Sequence, residues 1–365
     1  MTPLPLWRRV RPYVAVDARL ALLVGLLVAA GLGTLYSATL DFPGRFELQL
    51  RNVLIAMALM WAAANVPPPT LMRYAAPVYG AGVALLLAVF LFGISRKGSQ
   101  RWIWIGFEFQ PSEMMKIAMP LMLAWLFHQF GAMKRSHLFL VAAVLLAVPV
   151  GLIIKQPDLG TGLLVLAAGI YVVLLAGLSW KALAAMVAAG LAAIPLSWPL
   201  LHDYQRNRVL TLLHPESDPL GKGFQIKQAG IAIGSGGVAG KGWLEGTQGH
   251  LGFVPERSTD FIFSVFAEEF GLAGNLVLLV LYALLIVRGL QIAADAPTVF
   301  ARLLAGAITL IFFTYAFINL GMVSGIVPVV GVPLPFFSYG GTALMTLGTG
   351  CGMLMSIRRA SLLPG

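Results

Sequence analysis

Charge is scarce in this chain: only 11% of its 365 residues are Asp, Glu, Lys or Arg. A soluble globule carries about a quarter, so a water-exposed surface on every side is excluded. Cysteine is scarcer still. Cys351, the single one, stands in an apolar run, which excludes an intramolecular disulfide and argues against a thiolate metal site. The five histidines are scattered and form no His-x-x-x-His pair, so zinc chemistry has no ligand set. A serine nucleophile is equally unsupported, because Gly234-Ser235-Gly236-Gly237 lacks the strand-to-helix setting of a nucleophile elbow. No glycine-rich stretch has Walker A spacing, and no inverted repeat or matched pair of broken helices of the transporter kind is visible. Net charge is +10, yet no basic, aromatic-laced soluble module accompanies it, and nucleic acid is not an expected partner.

What the chain has in abundance is apolar sequence, 59% of its residues. Runs long enough to span a bilayer lie at about 19–38, 52–66, 74–94, 113–130, 138–154, 159–178, 182–200, 261–287, 299–323 and 336–357. They predict an all-α polytopic membrane protein, one bundle of about ten transmembrane helices over residues 1–365. With the N-terminus inside, Arg73, Lys134, Arg135, Lys181, Arg288, Arg302, Arg358 and Arg359 all fall on the cytoplasmic side, as the positive-inside rule requires. Both termini are then cytoplasmic. Arg8, Arg9 and Arg11 precede the first run without a small-residue cleavage site, so that run is expected to be retained as a span. The longest connection, 201–260, becomes an extracytoplasmic loop between the seventh and eighth helices. Loops of that length are functional or disordered; its Leu, Ile, Phe, Val and Trp content argues for order, with an amphipathic helix near 219–235 lying in the membrane interface.

Several polar words interrupt this apolar background on the external side. Gly240–Asn275 runs from a glycine-rich loop into an apolar segment bearing Asp260, Glu268 and Glu269. A carboxylate in a membrane helix costs at least ~2.5 kcal/mol, which makes each a candidate functional group; Asp260 is also readable as a first-turn acid favoured by the helix dipole. Glu113 and Lys116 fall on one helix face at the start of a span, either lining a cavity or forming an intrahelical ion pair. Lys155 and Asp158 flank a proline break, and Arg96, Lys97 and Arg101 stand among Trp102 and Trp104, where aromatic-belt anchoring competes with a binding role. Loop cations Arg206, Arg208, Lys222, Lys227, Lys241 and Arg257 are set among glycines and are either solvated or ligand-binding. Isolated acids surrounded by cations at a membrane boundary suit a substrate with an acidic headgroup and a hydrocarbon tail, such as a diphosphate-linked lipid.

The words GSQRWIWIG, QPSEMMKIAMP, KQPDLGTGLL, HPESDPLGKGFQIKQAGIAIGSGG, GKGWLEGTQGHLGFVPERSTDFIFSVFAEEFG and VSGIVPVVGVPLPFFSYGGT, in this order, resemble the SEDS family (shape, elongation, division and sporulation), and most closely its cell-elongation branch. The resemblance covers nearly the whole chain. It implies a glycosyltransferase of the bacterial cytoplasmic membrane that polymerises lipid II into glycan strands, beside a class B penicillin-binding protein, a PBP2-type transpeptidase. Asp260 matches the family's essential Asp, and Glu113, Lys116, Asp158 and Arg101 match further polar positions. Ser258 departs from the pattern, since many relatives carry His there. Glycosyl transfer from a diphosphate needs a base and positive charge at the leaving group. Asp260 is the expected base; Arg101, Glu113, Lys116, Lys155, Asp158 and Lys241 are the expected substrate-binding set, with a divalent cation such as Mg²⁺ as a helper and no organic cofactor. An α-linked donor and a β-linked product point to inverting displacement of undecaprenyl diphosphate. A lipid II flippase and a scaffold for cell-wall enzymes are the competing readings; a flippase should carry its charges near mid-membrane.

Overall fold

The computed structural model describes residues 16–96, 99–104, 108–131, 137–197, 206, 210–211, 221–250, 254 and 256–362. Among the described residues each of the ten apolar runs contributes a helix. They form α1 (Ala18–Ala38), α2 (Arg45–Ala64), α4 (Ala75–Phe92), α5 (Pro111–Phe130), α6 (His137–Lys155), α7 (Leu159–Leu175), α8 (Trp180–Ser197), α11 (Ile262–Ala294), α12 (Val299–Val323) and α13 (Gly341–Leu362), with the short α3 (Pro68–Arg73) between α2 and α4. In the long connection lie α9 (Lys222–Ser235) and α10 (Thr247–His250).

Among the described residues six helices, not ten, are long and apolar enough to cross a membrane: α1, α2, α4, α6, α11 and α12. The shortfall has local causes. Helix α7 is apolar but only 17 residues long, α5 has Glu113 and Lys116 in its opening turns, and α13 ends in arginines. Residues 198–200 of the run through α8 lie outside the described residues, as do 201–205, 207–209, 212–220, 251–253 and 255 of the loop, including Arg208, and likewise Lys97, Lys134 and Arg135.

The stretch after α4 was expected as an interfacial loop, and the structure makes it a three-stranded antiparallel sheet of β1 (Ile94–Arg96), β2 (Ser99–Trp104) and β3 (Glu108–Phe109). Ile94 pairs with Trp102 and Ile103 with Phe109. Alternation of Gln100, Trp102 and Trp104 with Arg101 and Ile103 is the period-2 signal for such a strand. The sheet leans on α4 and α5.

Helices α5 and α12 form the centre of the bundle. Helix α5 packs on α4, α6, α7 and α12 and buries 14 of its 20 residues; α12 packs on α5, α7 and α11. Along α13, Gly348 and Gly352 repeat at the four-residue spacing that brings helices close. A Cβ at Gly352 would come 2.2 Å from the Met60 carbonyl and one at Gly348 2.8 Å from that of Ala56, so α13 lies backbone to backbone on α2.

Candidate functional site

Gln110 stands ahead of α5 with an extended backbone, and Pro111 opens the helix, a position where its missing N–H costs nothing. One turn in, Glu113 and Lys116 meet on one face, with Lys116 Nζ 2.5 Å from Glu113 Oε1 and both side chains buried. Lys116 also donates to the Tyr315 hydroxyl of α12 and lies 4.9 Å from that ring's centre. The ammonium is thus held from both sides. Glu113 Oε2, by contrast, has no hydrogen-bond partner among the described residues.

The words around Gln110 and Asp158 come together. Asp158 caps α7 by accepting from the Thr161 amide at 3.2 Å, and its other oxygen accepts from the Gln110 amide at 2.9 Å. Arg101, arriving on β2, lies 3.4 Å from Asp158 with its side chain partly exposed. Lys155, three residues before Asp158, is exposed at the end of α6 and is not part of this cluster.

Asp260 closes the turn 256–260 and is half-buried. Helix α11 begins after it: Phe261 occupies the cap position without a side-chain cap, and the first turn carries no acid. The Asp260 carbonyl accepts from Asn319 Nδ2 at 2.9 Å. Its carboxylate rests beside Gly331, where a Cβ would come 3.2 Å from Oδ2 and φ is +76°. Immediately before it, the Val330 carbonyl fits against Gly160, whose Cβ would approach it to 2.9 Å. The same extended segment therefore touches Asp260 on one side and the start of the Asp158-capped helix on the other. Tyr315 and Asn319 share a face of α12 about 6 Å apart along its axis, so one helix face holds both the Glu113–Lys116 pair and the Asp260 turn.

Glu268 and Lys241 form a different kind of site. Glu268 is fully buried and accepts from Lys241 Nζ at 2.6 Å, Thr247 N at 2.9 Å, Gln248 N at 3.0 Å and Gly249 N at 3.4 Å. A carboxylate so surrounded holds the loop and the start of α10 in place, and it engages the Lys241 ammonium together with Thr247 Oγ1. The neighbouring Glu269 accepts from Ser37 of α1. Helix α11 then breaks at Gly271 (φ 62°, ψ −161°). Backbone groups freed by the break are taken up by the loop: Lys241 N and Gly242 N donate to the Glu268 and Glu269 carbonyls, and Leu272 N and Ala273 N donate to Gly237 and Val238. Buried backbone must be paired inside a membrane protein, and this exchange does it. Arg257 ties the turn to the end of α1 through the Ala38 carbonyl and a 2.6 Å pair with Asp41 just beyond it, and to α10 through the Gly249 carbonyl. At the departure from the family pattern, the Ser258 hydroxyl accepts from Arg45 at 2.8 Å.

Tyr315 and Asn319 were not singled out from sequence, although the spacing Tyr315-x-x-x-Asn319 in an apolar run was a readable signal; Gln110 was read only as the opening of the QPSEMMKIAMP word. Among the described residues no three of His, Cys, Asp and Glu cluster as metal ligands.

The molecule is thus a polytopic membrane protein whose buried ionisable groups gather where α5, α7 and α11 begin. Residues 15–362 match the family model of the FtsW, RodA and SpoVE cell cycle proteins, and the chain belongs to that family, the SEDS proteins. The peptidoglycan glycosyltransferase MrdB of Escherichia coli strain K12 is 50% identical over 340 residues, 93% of this chain and 92% of that protein. A probable peptidoglycan glycosyltransferase FtsW of Geobacter sulfurreducens is 36% identical over 356 residues, 93% and 94% of the two chains. The rod shape determining protein RodA of Thermus thermophilus superposes with a TM-score of 0.74 at 30% identity, covering 99% of this chain and 100% of that one. A chain of a peptidoglycan synthase complex that coordinates polymerisation and crosslinking superposes with a TM-score of 0.83 at 35% identity, covering 96% and 100%.

Proposed function

We propose that this glycosyltransferase polymerises lipid II into glycan strands during cell elongation, with Asp260 as general base. The acceptor sugar hydroxyl loses its proton to the Asp260 carboxylate as its oxygen attacks the donor's anomeric carbon. The bond from that carbon to the diphosphate breaks on the opposite face, undecaprenyl diphosphate leaves with the electron pair, and the α-linkage becomes β. A diphosphate is a good leaving group, so one base suffices where a glycosidase needs two carboxyl groups. Within the substrate-binding set, the partly exposed Arg101 and the exposed Lys155 are suited to meet the diphosphate. Asp158 orients Arg101, the Glu113–Lys116 pair supports the wall of the site, and Lys241 supports the loop through Glu268.

One observation carries this reading: Asp260 is a half-exposed acid ahead of its helix, beside a glycine that leaves room at its carboxylate. Asp260→Asn keeps the shape and removes the base. Purified variant given lipid II should yield no polymer on a gel; wild-type polymerisation at equal folded protein would refute the assignment, and lipid transport without polymer from the wild type would favour a flippase.

We further infer ten spans with both termini cytoplasmic, in the inner membrane, with 201–260 outside; the helix in each of the ten runs supports this. The solved relative that sits in a synthase complex supports a crosslinking partner, here a class B penicillin-binding protein. Its single span would dock on α11 and α12, where Leu276, Val280, Leu284, Val287, Phe313 and Phe317 face outward.

A further inference from the structure

Asn319 is completely buried in α12, where a side-chain amide must find its partners within the protein. Its Nδ2 donates to two main-chain carbonyls, Asp260 at 2.9 Å and Val332 at 2.7 Å. An amide nitrogen has two hydrogens, so a single side chain satisfies both. The first carbonyl belongs to the residue that carries the carboxylate. The second belongs to the segment on which that carboxylate rests, one residue beyond Gly331.

We propose that Asn319 is the positioning residue of the glycosyl transfer. It locks the Asp260 main chain to the Val332 main chain, and thereby sets the height and direction at which the carboxylate meets the acceptor hydroxyl. The position of Asn319 on α12 extends this control. Tyr315, one turn earlier on the same face, receives Lys116, so α12 indexes the Asp260 turn against the Glu113–Lys116 pair. The inference rests on the reading of Asp260 as the base. A purely structural Asn319 would hold the fold together and leave the chemistry of folded molecules unchanged.

The test uses the full-length protein in lipid II-containing proteoliposomes, with turnover expressed per folded molecule. Asn319→Leu removes both donors without adding charge, and Asn319→Asp keeps the shape while replacing the donor nitrogen with an acceptor. Misplacement of a catalytic group by about 1 Å lowers turnover roughly 10²-fold, and a loss of that order in kcat is expected for both, with KM for lipid II unchanged. The acid limb of the pH–rate profile, which reports the base, should also move. Wild-type kcat per folded molecule, a loss confined to KM, or failure of both variants to fold overturns the proposal. Asp260→Asn is measured alongside. An inactive Asp260→Asn with a normally active Asn319→Leu removes this inference alone, whereas an active Asp260→Asn removes the base assignment and the inference together.

Discussion

At the scale of single residues, the buried charges sort by how completely they are partnered. Lys116 touches Glu113 and Tyr315 inside the bundle, and the pair is shielded from solvent. Removing one member of such a pair strands the other charge, at a cost of about 3–5 kcal/mol, while replacing both with neutral groups is close to neutral. Lys116→Met should therefore lower thermal stability strongly, and the double variant Glu113→Gln with Lys116→Met should recover most of the loss. Unfolding monitored by size-exclusion fluorescence in detergent checks this; equal stability of the single and double variants would mean that the ion pair does not govern stability. Asp260 and Glu268, eight positions apart in sequence, differ in exposure: Asp260 is half-exposed in a turn, and Glu268 is fully buried and accepts from Lys241, Thr247 and Gln248.

At the scale of elements, α11 and the loop before it form one interlocked unit. The helix opens at Gly271 and the loop from Gly237 to Gly242 fills the opening with four main-chain hydrogen bonds. Glycine is required on both sides of the joint. A Cβ on Gly271 would come 2.3 Å from Gly240 N, and one on Gly240 2.1 Å from the Glu269 carbonyl; φ at both is positive, a region that costs other residues roughly 1–2 kcal/mol before any clash. Gly271→Ala should thus expel the loop while leaving the two halves of α11 helical. Limited proteolysis should cut within 237–250 faster than in the wild type, with far-UV circular dichroism unchanged. An unaltered cleavage rate would show that the joint tolerates a side chain. Because the turn bearing Asp260 follows this loop directly, polymerisation should fall in the same variant.

At the scale of the whole molecule, α5 and α12 fill the centre, with α4, α6, α7, α11 and α13 packed against one or both of them. The ten-span topology predicts that Lys227, exposed on α9, lies outside the cell and Arg302, at the start of α12, inside. Cys351 is buried and gives little background, so a cysteine at Lys227 should react with a membrane-impermeant maleimide in spheroplasts. A cysteine at Arg302 should react only after lysis; the reverse pattern would invert the topology. The outward apolar face of α11 leads to a second expectation. Cysteine pairs between residues 275–287 and the span of a class B penicillin-binding protein should crosslink in membranes. Efficient crosslinking only to α2 would move the docking face to the other side of the bundle.

The sequence by itself determined the helical segments, because apolar length is a local property that each run carries within itself. It also determined the family and the polar words, since these are contiguous strings of residues. The tertiary structure alone decided what the polar groups do. Lys116 and Tyr315 are 199 residues apart in the chain, and Asp260 and Asn319 are 59 apart. No local pattern states that they meet. The sheet at 94–109 was legible only as alternation, and the break at Gly271 only as a glycine, until the loop that completes each came into contact. In the sequence Glu268 is one of three candidate carboxylates and Lys241 one of several loop cations; only the fold brings the Lys241 ammonium and the amides of Thr247 and Gln248 to the Glu268 carboxylate. The physical reason is common to all of these: a buried charge or amide takes its role from the partners that packing brings to it, and those partners come from distant parts of the chain.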